Sequence, residues 1–222
     1  FNAYAETEYE YVDNSDPSSR AYKLITNGRR YSYEFSYDSQ TPPTGSFNEW
    51  SDKIGIKFPD GSYETYYYNQ SGESILKKVQ DTEVLPSEVW YPFYQQFEET
   101  TGRLLLSANQ SAITVDESTA GLVTLKTSDG LVEVFAYYGT GSPYEGKLHY
   151  TSVSQGSAGT PNKRRQYTYT APPGWSGVVS VMASVTVYRG NNNTDPAVTS
   201  YAYQWHTWTK QMSKRTTTLP VV

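Results

Sequence analysis

The sequence predicts an all-β, mainly antiparallel fold, because apolar and polar residues alternate over several segments and Asn-Gly or Asp-Gly pairs stand between them. From Tyr31 to Tyr37, aromatic residues occupy every second position, with Ser32, Glu34 and Ser36 between them. A period of two is that of a half-buried strand. We therefore expect a β-sandwich or β-barrel with long loops and at most one or two short helices.

Three turns containing glycine predict β-hairpins. They are Asn27-Gly28 between residues 21–26 and 30–37, Asp60-Gly61 between 53–58 and 62–69, and Asp129-Gly130 between 121–127 and 131–138. Asn-Gly and Asp-Gly readily supply the positive φ angles of a tight hairpin turn.

Two later segments also predict strands. Residues 178–188 alternate in the same way, and residues 199–210 would place Tyr201, Tyr203 and Trp205 on one face, with His206 and Trp208 on the other. Residues 87–99 are the one segment for which we expect short helices, interrupted near Pro92 because proline is tolerated only in the first turn of a helix.

The chain has 222 residues, a size common for a single β domain, and no segment has the composition of an interdomain linker. We predict one domain over residues 1–222. Because the chain opens at Phe1 rather than at methionine, we expect a piece of a longer precursor. No apolar run is long enough to insert into a membrane.

Charge and motif content argue against several functional classes. The formal net charge of −5 does not favour nucleic acid as a partner. The chain has no cysteine and only two histidines, His149 and His206, without metal-ligand spacing. Because nucleophile-elbow and phosphate-binding motifs are also missing from the sequence, we expect no catalytic residue, no metal and no cofactor.

Aromatic residues make up 15% of the chain, including 22 Tyr, and Ser, Thr and Asn are abundant. This mixture is typical of adaptable recognition surfaces, although Tyr and Thr are also good strand formers. The candidates for a receptor or interface surface are Trp50, Tyr66, Tyr68, Trp175, Trp205 and Trp208. The polar loops 38–51, 139–146, 155–163 and 189–198 are candidate contact surfaces.

The ends of the chain resemble the astrovirus capsid spike, a projecting domain of a small non-enveloped RNA-virus capsid. Thr216-Thr217-Thr218-Leu219-Pro220 is similar to the stretch that follows the spike in human astrovirus precursors. Thr7-Glu8-Tyr9-Glu10-Tyr11 and Asp16-Pro17-Ser18-Ser19-Arg20 are loosely similar to the region that enters it. The matched residues lie at the two ends only.

The resemblance implies a homodimeric spike on the virion surface that attaches to a host-cell receptor, protein or glycan, and is exposed to neutralising antibodies. It also implies proteolytic processing of the precursor. Two basic runs are candidate trypsin-accessible sites: Lys163, Arg164 and Arg165, which we expect in a loop, and Lys214 and Arg215, which we expect after the last strand.

Two other readings stay open. A carbohydrate-binding or adhesin-type module of a larger microbial or phage protein would share the β fold and the exposed aromatic residues. An enzyme with dispersed catalytic residues would also be compatible with the sequence, because acidic residues such as Glu98 and Glu99 stand in pairs.

Overall fold

The computed structural model describes residues 6–12, 19–81, 88–174 and 179–220. The chain divides into two compact units, unit 1 (Phe1–Leu125) and unit 2 (Lys126–Val222). Within the described residues almost all of the regular structure is β-strand, and the strand pairs set out below are antiparallel, which confirms the predicted fold class. Whether the two units constitute one domain stays a prediction.

Unit 1 contains an antiparallel meander in which chain neighbours are sheet neighbours. Its strands are β1 Thr7–Tyr11, β2 Ala21–Thr26, β3 Tyr31–Ser39, β4 Asp52–Lys57, β5 Tyr63–Tyr68, β6 Ser74–Asp81, β7 Glu88–Phe97 and β8 Leu104–Ala108. A separate two-stranded hairpin follows, with β9 Ile113–Val115 and β10 Val123–Leu125. A three-residue 3-10 helix, Gln110–Ala112, precedes it.

The core of unit 1 lies on one face of this meander. Tyr67, Leu76 and Tyr94 are buried there, and Ile113 and Leu122 of the β9–β10 segment are buried as well. Tyr67 and Leu76 stand directly opposite each other, as do Leu76 and Tyr94. Burial of large aromatic and aliphatic side chains is the main stabilising term for such a unit.

Unit 2 is also a meander. Its strands are β11 Leu131–Tyr137, β12 Leu148–Gln155, β13 Asn162–Thr170, β14 Val181–Tyr188, β15 Pro196–Trp205 and β16 Met212–Thr218. A three-residue 3-10 helix, Asn191–Asn193, lies between β14 and β15. The buried residues that the structure describes in this unit are Val132, Thr151, Ser152, Ser154, Gly156 and Pro172.

Two of the three predicted hairpins are confirmed. β2 pairs with β3 around Asn27-Gly28, whose φ angles of 52° and 63° are the positive values that the turn requires. β4 pairs with β5 around Asp60-Gly61.

The third predicted hairpin is wrong. Asp129-Gly130 does lie in a turn, but the segments on its two sides do not pair with each other. β10 pairs with β9, and β11 pairs with β12. A glycine turn fixes a local change of direction, whereas strand pairing is decided by what each strand buries.

The predicted helix at residues 87–99 is also wrong, because residues 88–97 form β7. Val89, Trp90, Tyr91 and Phe93 are β-branched or aromatic and favour a strand. The β6–β7 register shifts opposite Pro92, between Lys77 and Val79, and a bulge is where a sheet tolerates a proline without a ladder hydrogen bond.

Candidate recognition surfaces

Unit 1 has an open sheet face lined by aromatic and aliphatic side chains. Phe35 stands opposite Ile56, and Ile54 stands opposite both Tyr37 and Tyr66. Directly opposite residues of antiparallel strands share a face, and all five of these side chains are half-buried. They lie on the face opposite buried Tyr67, because successive residues of β5 alternate between faces.

Two of the predicted candidates, Tyr66 and Tyr68, belong to this open face. Their rings stack with centroids 6.3 Å apart and planes 21° apart. Lys77 Nζ lies 5.0 Å from the centre of the Tyr66 ring and donates to Glu64 at 2.6 Å. Partial burial would raise the pKa of Glu64, but hydrogen bonds from Lys77 and Tyr66 outweigh it and hold that pKa below its ordinary value. The face is therefore mostly apolar, and its charged side chains include the mutually neutralised Glu64–Lys77 pair and Asp52, which stands opposite Tyr68.

Trp50, another predicted candidate, lies in the core rather than on a surface. Its side chain is 9% exposed and packs edge-to-face on Tyr67, with ring centroids 5.9 Å apart. Its backbone N–H donates to the carbonyl oxygen of Ala120 at 3.1 Å, which joins the chain before β4 to the β9–β10 segment. The structure therefore places Trp50 on the face opposite that of Tyr66 and Tyr68.

The predicted contact loop 38–51 is held by an internal hydrogen-bond network. The carboxylate of Glu99 accepts from Ser46 Oγ at 2.6 Å, Phe47 N at 3.0 Å and Asn48 Nδ2 at 2.6 Å. Asn69, which is fully buried, donates from Nδ2 to the carbonyl oxygen of Phe47 at 3.0 Å. The loop is therefore held by the β5–β6 turn, which contains Asn69, and by the β7–β8 turn, which contains Glu99.

Strands β13 to β16 are the least covered part of the unit 2 sheet. Every residue that the structure describes in these four strands is half-buried or exposed. Isolated sheets need at least one covered face for independent stability. This part of unit 2 therefore presents the kind of surface that a partner covers.

One face of that sheet carries a row of aromatic side chains, among them the predicted candidate Trp205. Along β15, Tyr201, Tyr203 and Trp205 are half-buried and the residues between them are exposed. The rings of Tyr203 and Trp205 are 5.7 Å apart. The guanidinium of Arg215, opposite Tyr203 on β16, lies 5.7 Å from the Tyr201 ring centre. The row therefore combines aromatic surface with positive charge.

Trp208, the most exposed of the predicted candidates, is at the β15–β16 turn. The prediction of a continuous strand over 199–210 is wrong, because β15 ends at Trp205 and the chain turns back. Backbone hydrogen bonds from His206 to Gln211 and from Lys210 to His206, both 2.9 Å, close the turn. The alternation of side chains along a strand therefore does not set the direction of Trp208, whose side chain is 93% exposed.

A second aromatic cluster in unit 2 surrounds His149. Tyr138 stacks on the imidazole with centroids 4.3 Å apart, and Tyr144 and Tyr169 contact Tyr138 edge-on at 5.7 and 5.9 Å. Partial burial and the positive charge of Lys163 both lower the pKa of His149. The hydroxyl of Tyr138 donates to the carbonyl oxygen of Tyr167 on β13, and that of Tyr169 donates to the carbonyl oxygen of Leu148 on β12, so the cluster stabilises the sheet.

A polar cleft of about 570 Å³ lies beside the turn between β12 and β13. Its walls carry neutral hydroxyl and amide groups, contributed by Thr127, Ser128, Gln155, Thr160 and Asn162. The predicted contact loops 155–163 and 189–198 meet close by, because Lys163 N donates to Asn193 Oδ1 at 2.9 Å and Asn192 N donates to Asn162 Oδ1 at 2.8 Å. The cleft has the volume of a small-ligand site.

The two units differ strongly in charge, which the count over the whole chain conceals. Unit 1 has nineteen acidic and nine basic residues, whereas unit 2 has four acidic and nine basic residues. The formal charges are therefore −10 and +5, which sum to the net −5 of the chain. Counting charges separately in the two halves of the sequence would have found this asymmetry.

The predicted protease-accessible residues lie in strands, which corrects the expected positions. Lys163, Arg164 and Arg165 belong to β13, whose backbone pairs with β12 and β14. Lys214 and Arg215 belong to β16. In each run the basic residues are consecutive and their neighbours are mostly polar, so the sequence shows no alternation of apolar and polar residues that would indicate a strand. Trp175, the remaining candidate, lies outside the described residues.

The described residues contain no group of three or more His, Asp or Glu side chains placed to hold a metal ion. None of the helices in this part of the chain has the length and apolar character that crossing a membrane requires. Neither protein-family models nor curated proteins give a match to the chain.

Proposed function

We propose that the chain is a recognition domain and, more specifically, the projecting spike of a non-enveloped virus capsid. The observation that carries this proposal is the open sheet of β13 to β16, with its aromatic row and the 93% exposed Trp208 at its end. Large aromatic residues at the surface are enriched at the centres of protein interfaces. The likeness at the chain ends to the astrovirus spike supports the viral assignment.

The spike assignment includes a homodimer, and the open face of unit 1 is the better surface for it. Phe35, Ile54, Ile56 and Tyr66 form an apolar patch around the Glu64–Lys77 pair. Apolar, charge-depleted centres are typical of homodimer interfaces. The aromatic row of unit 2 carries Arg215 beside it and suits a different partner.

Attachment to cells tests the proposed function. Fluorescently labelled chain should bind a panel of cultured epithelial cells saturably, and Trp208→Ala should weaken binding roughly tenfold or more, as expected for an aromatic hot spot. Gln204→Ala, an exposed substitution on β15, is the matched control and should bind like the wild type. Binding that is absent, or unaffected by Trp208→Ala, would contradict the proposal.

The polar cleft of unit 2 favours a second candidate, a carbohydrate-binding module. Neutral hydroxyl and amide groups match the hydrogen-bonding pattern of a sugar, and the volume is in the range of ligand sites. A titration with neutral disaccharides, monitored by the amide chemical shifts of the isotope-labelled chain, distinguishes the carbohydrate module from the spike. Shifts confined to residues 127–128 and 155–162, without cell attachment, would favour the carbohydrate module.

A further inference from the structure

The strands β13 to β16 carry a strong excess of positive charge. Between residues 162 and 218 there are seven basic residues, Lys163, Arg164, Arg165, Arg189, Lys210, Lys214 and Arg215, and one acidic residue, Asp195. Asp195 is paired with Arg189, whose Nη2 lies 2.8 Å from Asp195 Oδ1. Six positive charges therefore have no acidic residue in this segment to offset them.

These charges are spread over the sheet rather than gathered in one pocket. Arg165 is on β13 opposite Val187, whereas Arg215 is on β16 opposite Tyr203, two strands beyond β14. All four of Arg164, Arg165, Lys214 and Arg215 are exposed. The strand register puts Arg165 and Arg215 on one face of the sheet, and Arg164 and Lys214 on the other. A single terminal carboxylate would use one such position, but a linear polyanion can contact several at once.

The surroundings of the charges are suited to sugars. The cations lie among hydroxyl and aromatic groups: Thr216, Thr217 and Thr218 follow Arg215 on β16, and the Arg215 guanidinium lies over Tyr201. Hydroxyl groups hydrogen-bond to sugar and sulfate oxygens, and charge-assisted hydrogen bonds from Arg are the strong ones.

We propose that the β13–β16 sheet binds a sulfated polysaccharide of the cell surface. This inference rests on the proposed recognition function and names the ligand class of the same surface. The acidic unit 1, with a formal charge of −10, does not suit such a ligand, which confines binding to unit 2. The cations of the sheet supply both the affinity and a dependence on salt, since exposed charge pairs are screened as ionic strength rises.

Heparin immobilised on a sensor surface is the first probe, with the full chain in solution. Arg164→Gln/Arg165→Gln should bind roughly tenfold more weakly than the wild type at low salt, and Lys214→Gln/Arg215→Gln should do the same. Arg29→Gln/Arg30→Gln, a basic pair in the β2–β3 turn of unit 1, is the matched control and should bind like the wild type. Circular dichroism establishes that each variant keeps its β structure.

Two comparisons separate the proposal from its alternatives. Chemically desulfated heparin should bind far more weakly than heparin, and single-stranded DNA of equal charge should compete poorly. The inference is overturned if the unit 1 control loses as much heparin binding as the unit 2 variants. It is also overturned if desulfated heparin binds as well as heparin, or if DNA competes as well as heparin. If heparinase-treated cells still bind the chain fully, this inference fails while the proposed function stands. If neither untreated nor heparinase-treated cells bind the chain, the proposed function fails as well.

Discussion

At the scale of single residues, Glu117 shows how one carboxylate joins several strands. It accepts hydrogen bonds from Tyr67 at 2.8 Å, Lys78 at 2.6 Å and Tyr91 at 2.9 Å, and it lies two residues after the end of β9. Partial burial would raise the pKa of Glu117, but these hydrogen bonds lower it below its ordinary value of 4.5. Burial and the bond to Glu117 raise the pKa of Tyr91 to about 12.

Replacing Glu117 with Gln should therefore destabilise unit 1 by about 1–2 kcal/mol, because a charge-assisted acceptor of three bonds is lost at a partly exposed site. Because the folded-state pKa of Glu117 is lowered, its contribution is present above pH 4.5 and is lost as the pH falls through the lowered pKa. Urea denaturation at pH 7, and amide exchange over residues 113–125, measure the effect. Glu6→Gln, at an exposed position, is the control. An equal free energy of unfolding for the two variants would contradict a stabilising role for Glu117.

His149 is the second residue with a testable titration. Because burial and Lys163 lower its pKa below 6.5, the unfolded chain binds the proton at higher pH than the folded chain. The stability of unit 2 should therefore fall as the pH drops through 6.5. The NMR titration of the imidazole should have a midpoint below 6.5, and His149→Phe should remove this part of the pH dependence. A midpoint above 6.5 would show that the stacking on Tyr138 does not desolvate the ring.

At the scale of elements, the alternation of apolar and polar residues predicts a strand well where one face of the strand is buried. Glycine turns predict strand pairing well where the two strands of a hairpin follow each other directly in the chain. β3, β4 and β5 follow this rule. Residues 163–165 did not, because three successive basic side chains hide the period of two that β13 has in space. The surface position predicted for Trp50 is wrong because its backbone bonds to the distant β9–β10 segment and its ring packs on Tyr67, contacts that no local pattern reveals.

The strand positions of the basic runs change the expected proteolysis. A protease needs locally unfolded chain, and β13 is paired on both sides, whereas Lys210 lies in the exposed turn before the edge strand β16. Limited trypsin digestion should cut at Lys210 and then at Lys214 or Arg215, and should spare Lys163, Arg164 and Arg165 until the chain is denatured in urea. Mass spectrometry identifies the sites, and an early cut within 163–165 would contradict the pairing of β13.

At the scale of the whole molecule, the chain combines an acidic unit, an open basic sheet and two exposed aromatic surfaces. The sequence composition predicts recognition through aromatic residues, but it identifies them only as separate candidates. The spatial arrangement instead groups them, Tyr66 with Tyr68 in unit 1 and Trp205 with Tyr203 in unit 2. Such grouping follows from cross-strand register, which a single sequence does not specify beyond its hairpins.

The central claim is that the open face of unit 1 is a homodimer interface, and solution mass tests it most directly. Light scattering after size-exclusion chromatography, over a concentration series, should give twice the 25.0 kDa of the chain. Ile56→Asp, at the open face of unit 1, should give a folded monomer, because a buried unpaired charge opposes association. Ser36→Asp, beside Phe35 on the opposite face, should remain dimeric. A strict monomer of the wild-type chain at the highest concentration would contradict the claim.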